Sequence, residues 1–298
     1  NLGPNINTNK CDVLIAVGMR FDDRVTGKLA TYASQAKIIH FDIDPAEIGK
    51  NMTAHIPIVG DLKHVLEELT KHVDCQAPQE WVQAVTERKK RYAAKAIEPV
   101  EGFVEPKTFM HALARRMEAD GILCADVGQN QIWSANHFEI RQGRFLTSGG
   151  MGTMGYSVPC AVGAKSAAPG RQVCAVCGDG SFQMTSEELT TAFLDHAPVK
   201  IAIINNSVYG MVRQWQTLFF GQHYSQTNLA DGDSKEGGEF FDVPDFVKLA
   251  EAYGCVGLRA FTEDEAIDAI NKANEINDRP VLIDFRVWKD AMVWPMVA

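Results

Sequence analysis

Val173-Cys174-Ala175-Val176-Cys177-Gly178-Asp179-Gly180-Ser181 runs from five apolar residues straight into a glycine-flanked aspartate. A short apolar run closed by a turn signal predicts a buried strand followed by a tight loop. The pattern repeats at Ile201–Ile204, which leads into Asn205-Asn206. Ligands of an open parallel sheet bind at the carboxyl ends of its strands, so Asp179 and Asn206 are expected at one sheet edge. Magnesium takes hard oxygen ligands, often one or two protein carboxylates plus phosphates. Asp179 can give a carboxylate oxygen and Asn206 an amide oxygen, while Gly178 and Gly180 let backbone approach a diphosphate. Two unrelated turns would carry the same residues. Thr185 and Glu188 have the spacing of a capping box, predicting a helix over Leu189, Ala192 and Phe193 with N–H groups free for an anion.

Outward from this stretch, Val13–Val17, Ile38–Ile43, Ile122–Ala125 and Val281–Phe285 also read as buried parallel strands, with a further one at Ile56–Val59. Leu62, Val65, Leu66, Leu69 and Val73 mark a helix face that Asp61 is placed to cap. Phe109, Met110, Leu113, Ala114 and Met117 mark another, with Pro106 near its start and Gly121 past its end. Alternation of this kind predicts an α/β fold with a doubly wound parallel sheet. The expected division is a partial domain over 1–74, a linker helix within 75–105 and a self-sufficient domain of about six strands over 106–298. The front part is too short for a doubly wound sheet of its own, so the chain is expected to begin inside a domain. Residues Gln226–Glu239, polar and glycine-bearing, read as an exposed loop.

Acids outnumber bases 38 to 29, for a net charge of −9. That balance argues against binding along nucleic-acid backbones. No run reaches the ~18 apolar residues of a membrane span, and no signal peptide is visible, which favours a cytoplasmic protein. Seven cysteines, an odd number set mostly in apolar runs, suit free thiols in a reducing compartment. Cys174 and Cys177 form a CxxC, but residues three apart on a strand point to opposite faces, so core packing is the better reading. Only Gly18 follows the Val13–Val17 strand, where a dinucleotide-binding dehydrogenase would carry G-x-G-x-x-G.

The GDG, then NN after the next strand, resembles the signature of thiamine-diphosphate enzymes. Six further stretches resemble the catalytic subunit of acetohydroxyacid synthase (acetolactate synthase) within that family. Ser148-Gly149-Gly150-Met151-Gly152-Thr153-Met154-Gly155-Tyr156 matches its glycine-rich stretch, where a methionine at Met154 supports the bent cofactor; a buried core methionine is the alternative. Asp126-Val127-Gly128-Gln129-Asn130-Gln131 is similar to a loop near the diphosphate, with Asn130 in place of the usual His. Met211 and Trp215, in Gly210-Met211-Val212-Arg213-Gln214-Trp215, match residues shaping the second-substrate pocket, though an i,i+4 core pair would look alike. Gly18-Met19-Arg20-Phe21-Asp22-Asp23-Arg24-Val25-Thr26-Gly27, Phe41-Asp42-Ile43-Asp44-Pro45-Ala46-Glu47-Ile48 and Gly60-Asp61 resemble parts of the FAD-binding domain. Individual acids there could equally be turn or cap residues.

The resemblance implies decarboxylation of pyruvate and transfer of its two-carbon unit to pyruvate or 2-oxobutanoate. It implies thiamine diphosphate, Mg²⁺ and a structural FAD, a homodimer or homotetramer, and a small regulatory subunit. Asp179, Asn206 and the Val208 carbonyl would hold the metal. Gly128, Gln129, Asn130, Gly152, Met154, Gly178, Gly180, Ser181, Met184, Gly210 and Met211 would line the cofactor. Arg20, Asp42, Ile43 and Asp61 would touch flavin, and Gln129, Met211 and Trp215 would serve catalysis. The family's amino-terminal domain, with the glutamate that activates the cofactor ring, has no counterpart here. The Gln226–Glu239 loop is longer than the family's equivalent. Another thiamine-dependent carboligase such as glyoxylate carboligase, or a non-catalytic cofactor-binding fragment, are the alternatives.

Overall fold

The computed structural model describes residues 2–92, 99–229 and 244–294. The chain divides into two compact units, residues 1–96 with 294–298, and residues 97–293.

The first unit contains α1 (Leu2–Thr8), β1 (Val13–Val17), α2 (Asp23–Thr26), β2 (Lys37–Asp42), β3 (Ile56–Val59), α3 (Leu62–Leu69) and α4 (Gln79–Arg91). Its three strands pair in parallel in the order β1-β2-β3. One face packs into a small core through Ala16 and Ile38, joined by Phe21, Tyr32 and Ala33. The expected cap is present: Asp61 accepts from the amides of Lys63 and His64 at the start of α3. No residue of α3 is buried, and Val73 lies beyond its end. α4 packs beside α1, where Arg88 donates to the Asn7 side chain at 2.9 Å.

The second unit contains α5 (Pro106–Arg116), β4 (Ile122–Ala125), α6 (Gln129–His137), β5 (Arg144–Thr147), α7 (Ser157–Ala167), β6 (Val173–Gly178), α8 (Asp179–Gln183) and α9 (Glu188–Leu194). It continues with β7 (Lys200–Asn205), α10 (Gly210–Phe219), α11 (Phe246–Ala252), β8 (Val256–Ala260), α12 (Glu263–Glu275) and β9 (Val281–Arg286). The six strands form one parallel sheet in the order β5-β4-β6-β7-β9-β8. Helices cover both faces, as the alternation predicts. α7, α9 and α11 pack on the face of Cys124, Cys177, Ile201 and Leu282. α5, α6 and α12 lie on the other, where the Phe109 and Phe285 rings sit 4.4 Å apart.

Cys177 belongs to the first of these cores and Cys174 does not, the opposite-face arrangement that strand geometry requires. Burial pushes the Cys174 thiol up to about 12 and raises that of Cys177 well above its ordinary value. Both are packing residues.

Two strands escaped the apolar-run reading. β5 (RFLT) and β8 (VGLRA) are the edge strands, and each carries an arginine. An edge strand needs less apolar surface than a central one, so its sequence signal is weaker. Of the Gln226–Glu239 loop, residues 230–239 lie outside the described residues.

Candidate functional site

β4 leads to β5 on one side of itself, and β6 returns to its other side. The β4–β6 boundary is therefore a topological switch point, where the loops leaving two adjacent strands diverge and open a crevice. The loop after β4 carries Asp126 to Gly128, and β6 ends at Gly178-Asp179. β7, next in the sheet, ends at Asn205 and leads into Asn206-Ser207-Val208. The sheet thus brings the three loops singled out from sequence to one edge.

Asp179 is 1% exposed. Its carboxylate accepts from the Gly180 amide at 3.1 Å and from the Ser207 amide at 2.7 Å. Ser207 adopts φ 58°, a left-handed conformation costly for a side-chain-bearing residue, and this turn places its amide against the carboxylate. Burial raises the Asp179 pKa to about 7, against the two amides and Arg286, which lower it. A carboxylate held in so dry a place is one that a divalent cation would stabilise in its charged form. The Asn206 side-chain oxygen accepts from the Val208 amide at 3.2 Å, fixing the amide group beside the same turn. Among the described residues no cluster of three or more His, Cys, Asp or Glu stands together as a metal cage. Two oxygen side chains plus a carbonyl match instead a metal that shares its shell with phosphate.

Buried amides knit the loops together. Gln129, the first residue of α6, donates to Gln214 Oε1 at 2.8 Å and to the Ala291 carbonyl at 2.9 Å. Its oxygen accepts from Asn206 at 3.4 Å. Asn130 donates to the carbonyls of Asp126 and Val176, so it ties its loop to β6. The Ser181 hydroxyl donates to Val127 O at 3.2 Å. Gly210 has to be glycine, since a Cβ would strike the Gln129 oxygen, and at Gly180 it would meet the Tyr209 ring at 2.6 Å. The described start of the long loop is stitched over this turn: Tyr209 N donates to Thr227 O and Leu229 N to Ser207 O.

The glycine-rich stretch joins the site through a residue whose role the sequence did not disclose. Asp126, wholly buried, accepts from the amides of Gly155 and Ser157 at 3.0 and 2.8 Å. Met154 is half-buried beside this anchor, Gly152 is exposed, and a Cβ on Gly155 would lie 3.2 Å from that of Met184. Met184 is 47% exposed at the end of α8. Met211 and Trp215 are half-buried and one turn apart on α10. Two further residues went unsignalled, Gln214 and Arg286, the latter donating to the Ser207 hydroxyl at 3.2 Å. Both act on partners far away in sequence, which no local pattern reports.

One expectation is corrected. Thr185 and Glu188 do not form a capping box: the Thr185 hydroxyl donates to Gly155 O at 2.9 Å, and α9 begins after Glu187 without a side-chain cap. A tertiary acceptor takes the hydroxyl that the local motif would use. Leu189 and Ala192 are buried as expected, while Phe193 is 38% exposed.

The candidate flavin residues lie in the first unit. Arg20 pairs with Asp22 at 3.1 Å, Asp42 accepts from the Asp44 amide, Ile43 is exposed and Asp61 caps α3.

Two family models match the chain. The thiamine pyrophosphate enzyme C-terminal TPP binding domain covers residues 126–285, and the thiamine pyrophosphate enzyme central domain covers residues 5–69. An acetolactate synthase large subunit of Mycobacterium tuberculosis is 49% identical over 296 residues, which are 97% of this chain and 47% of that protein. One from Corynebacterium glutamicum is 48% identical over 295 residues, 97% of this chain and 46% of that protein. One from Cyanidium caldarium is 40% identical over 301 residues, 99% and 49% respectively. The chain spans about half the length of the curated relatives it matches.

Proposed function

The chain belongs to the thiamine pyrophosphate enzyme family, and on that premise we propose that it carries the magnesium–diphosphate half-site of an acetolactate synthase large subunit. The observation that carries this reading is the meeting of Asp179 with the Asn206–Val208 turn, at adjacent strand ends beside the switch point. Asp179, the Asn206 side-chain oxygen and the Val208 carbonyl would hold Mg²⁺. Gly128, Gln129, Asn130, Gly178, Gly180, Ser181 and Gly210 would close around the diphosphate, with Gly152, Met154 and Met184 along the rest of the cofactor. When bound, thiamine diphosphate supplies the nucleophilic carbon and the electron sink. The chain's own work is to orient it and to shape what approaches it.

Pyruvate is the proposed donor, and pyruvate or 2-oxobutanoate the acceptor. Met211 and Trp215 are assigned to the acceptor side, since a large ring fixed on a helix can discriminate one methylene. FAD, held by Arg20, Asp42, Ile43 and Asp61 among others, would be structural, because the net reaction transfers no electrons. A homodimer or homotetramer with a small regulatory subunit, in the cytoplasm, completes the proposal. No described helix is long and apolar enough to cross a membrane.

The test is the product ratio of the whole protein given pyruvate with 2-oxobutanoate. Acetolactate and its 2-oxobutanoate-derived homologue are expected, and Trp215→Leu should lower the share of the homologue, a methylene being worth about 1–3 kcal/mol in a fitted pocket. Failure to form either product would remove the assignment, and products from glyoxylate would redirect it to a different carboligase.

A further inference from the structure

The opposite edge of the same sheet carries a cavity of about 560 Å³. Its walls include Gln172 and Lys200, where β6 and β7 begin, so the length of the strands separates it from Asp179. Four cations, Arg116, Lys165, Arg171 and Lys200, line it against two carboxylates, Glu118 and Asp195. Arg171 also pairs with Asp120, outside the lining, at 3.5 Å, so the lining itself carries an excess of positive charge in a chain of net charge −9.

Lys200 is the unusual member. It is 5% exposed, and among the described residues its ammonium donates to one group, the carbonyl of Ile276. An ammonium has three donors, and a buried charge without an ionic partner is costly. Its pKa falls to about 8, from burial first; Cys174 acts the other way, the neighbouring Lys165 lowers it further, and Asp278 raises it. Asp278 is itself engaged by Arg279 at 2.8 Å. Lys165 is held beside the cavity by the carbonyls of Pro169 and Arg171, at 2.9 and 2.7 Å. Two ammoniums are thus fixed near one another beside an open volume.

We propose that this cavity is a binding site for a small multivalent oxyanion, with Lys200 and Lys165 as its charge partners and Arg171 at its mouth. Charge-assisted bonds from ammonium and guanidinium groups to carboxylate or phosphate oxygens are the strong ones available here. The volume falls within the ~300–1,000 Å³ typical of small-molecule pockets, which fits a phosphorylated metabolite or a polycarboxylate better than a bare halide. Its place, across the sheet from the diphosphate site, makes it separate from the assigned chemistry, and it does not rest on that assignment.

The test is calorimetric titration of the whole protein with inorganic pyrophosphate and, separately, with citrate, at constant ionic strength and without divalent metal. At least one probe should bind with submillimolar affinity. Lys200→Met keeps the side-chain length, removes the charge and should weaken that binding at least tenfold. Arg171→Ala, at a partly exposed position, should weaken it about threefold and covers the case in which Lys200→Met fails to fold. Asp179→Ala should leave it unchanged. Binding of pyrophosphate alone identifies phosphate as the chemistry, and binding of citrate alone identifies carboxylate. Absence of binding by both at 10 mM, or binding kept by both cavity variants and lost with Asp179→Ala, would overturn the proposal.

Discussion

The two sheets are built from the same kind of strand and end in different surroundings. In the first unit, Val13, Ile15 and Val17 on one face of β1 are 46, 51 and 42% exposed, and Ile56 on β3 is 51% exposed. On the other face Ala16 and Ile38 are 2 and 3% exposed. In the second unit every residue of β7 and of β9 is buried. Parallel sheets are stable with both faces covered. The second unit brings its own cover on both sides, whereas in the first Val13, Ile15 and Val17 stay about half exposed. What a hydrophobic strand contributes therefore depends on how far its two faces are covered.

Buried anchors should separate the two units most sharply. Asp126→Ala strands two buried amides, and hydrogen bonds to charged groups are worth about 1.5–3 kcal/mol each, so a loss of several kcal/mol is expected in denaturant unfolding. Asp61→Ala in the first unit removes an exposed helix cap and should cost about 1 kcal/mol. Equal losses would remove the contrast. Core truncation gives the next effect. Ile203→Ala in β7 should cost about 2–5 kcal/mol, and Ile15→Ala, half-exposed, less than about 1 kcal/mol. A large loss at Ile15 in this chain would mean that its face is covered after all.

A smaller effect comes from Asp179. Its folded pKa of about 7 exceeds the ordinary carboxylate value, so folding takes up a proton between the two. Without metal, its ionisation therefore destabilises the fold progressively as pH rises from about 4 to about 7, and fully above that. Asp179→Asn should raise metal-free stability at pH 8 by about 1–2 kcal/mol, below the ~1.4 kcal/mol per unit limit because asparagine matches one fewer amide. The gain should vanish near pH 4. A gain independent of pH would show that folding leaves the Asp179 pKa unshifted.

How much of this was legible follows from where each residue finds its partners. The central strands, β6, β7 and β9, announce themselves as continuous apolar runs because both their faces are buried. β5 and β8, at the edges, do not. Asp179 and Asn206 could be read because strand, turn and residue type coincide locally. Asp126 could be quoted as part of a loop, but not as the anchor of Gly155 and Ser157, since that bond is made across the sheet edge. Thr185 shows the converse, a correct local motif overruled by a carbonyl supplied from elsewhere. The amino-edge cavity left no signature either, because its cations come from α5, α7, β7 and the loop between α7 and β6, one from each.

Metal-dependent cofactor binding at the carboxyl edge of the second sheet is the property on which the proposed function depends most directly. Thiamine diphosphate titrated into the whole protein by calorimetry should bind with Mg²⁺ and fail to bind when the metal is chelated. Asp179→Ala should abolish the Mg²⁺-dependent binding while retaining the native unfolding transition, since one of few hard ligands is gone. Cofactor affinity unchanged by chelation, or unchanged in Asp179→Ala, would contradict it.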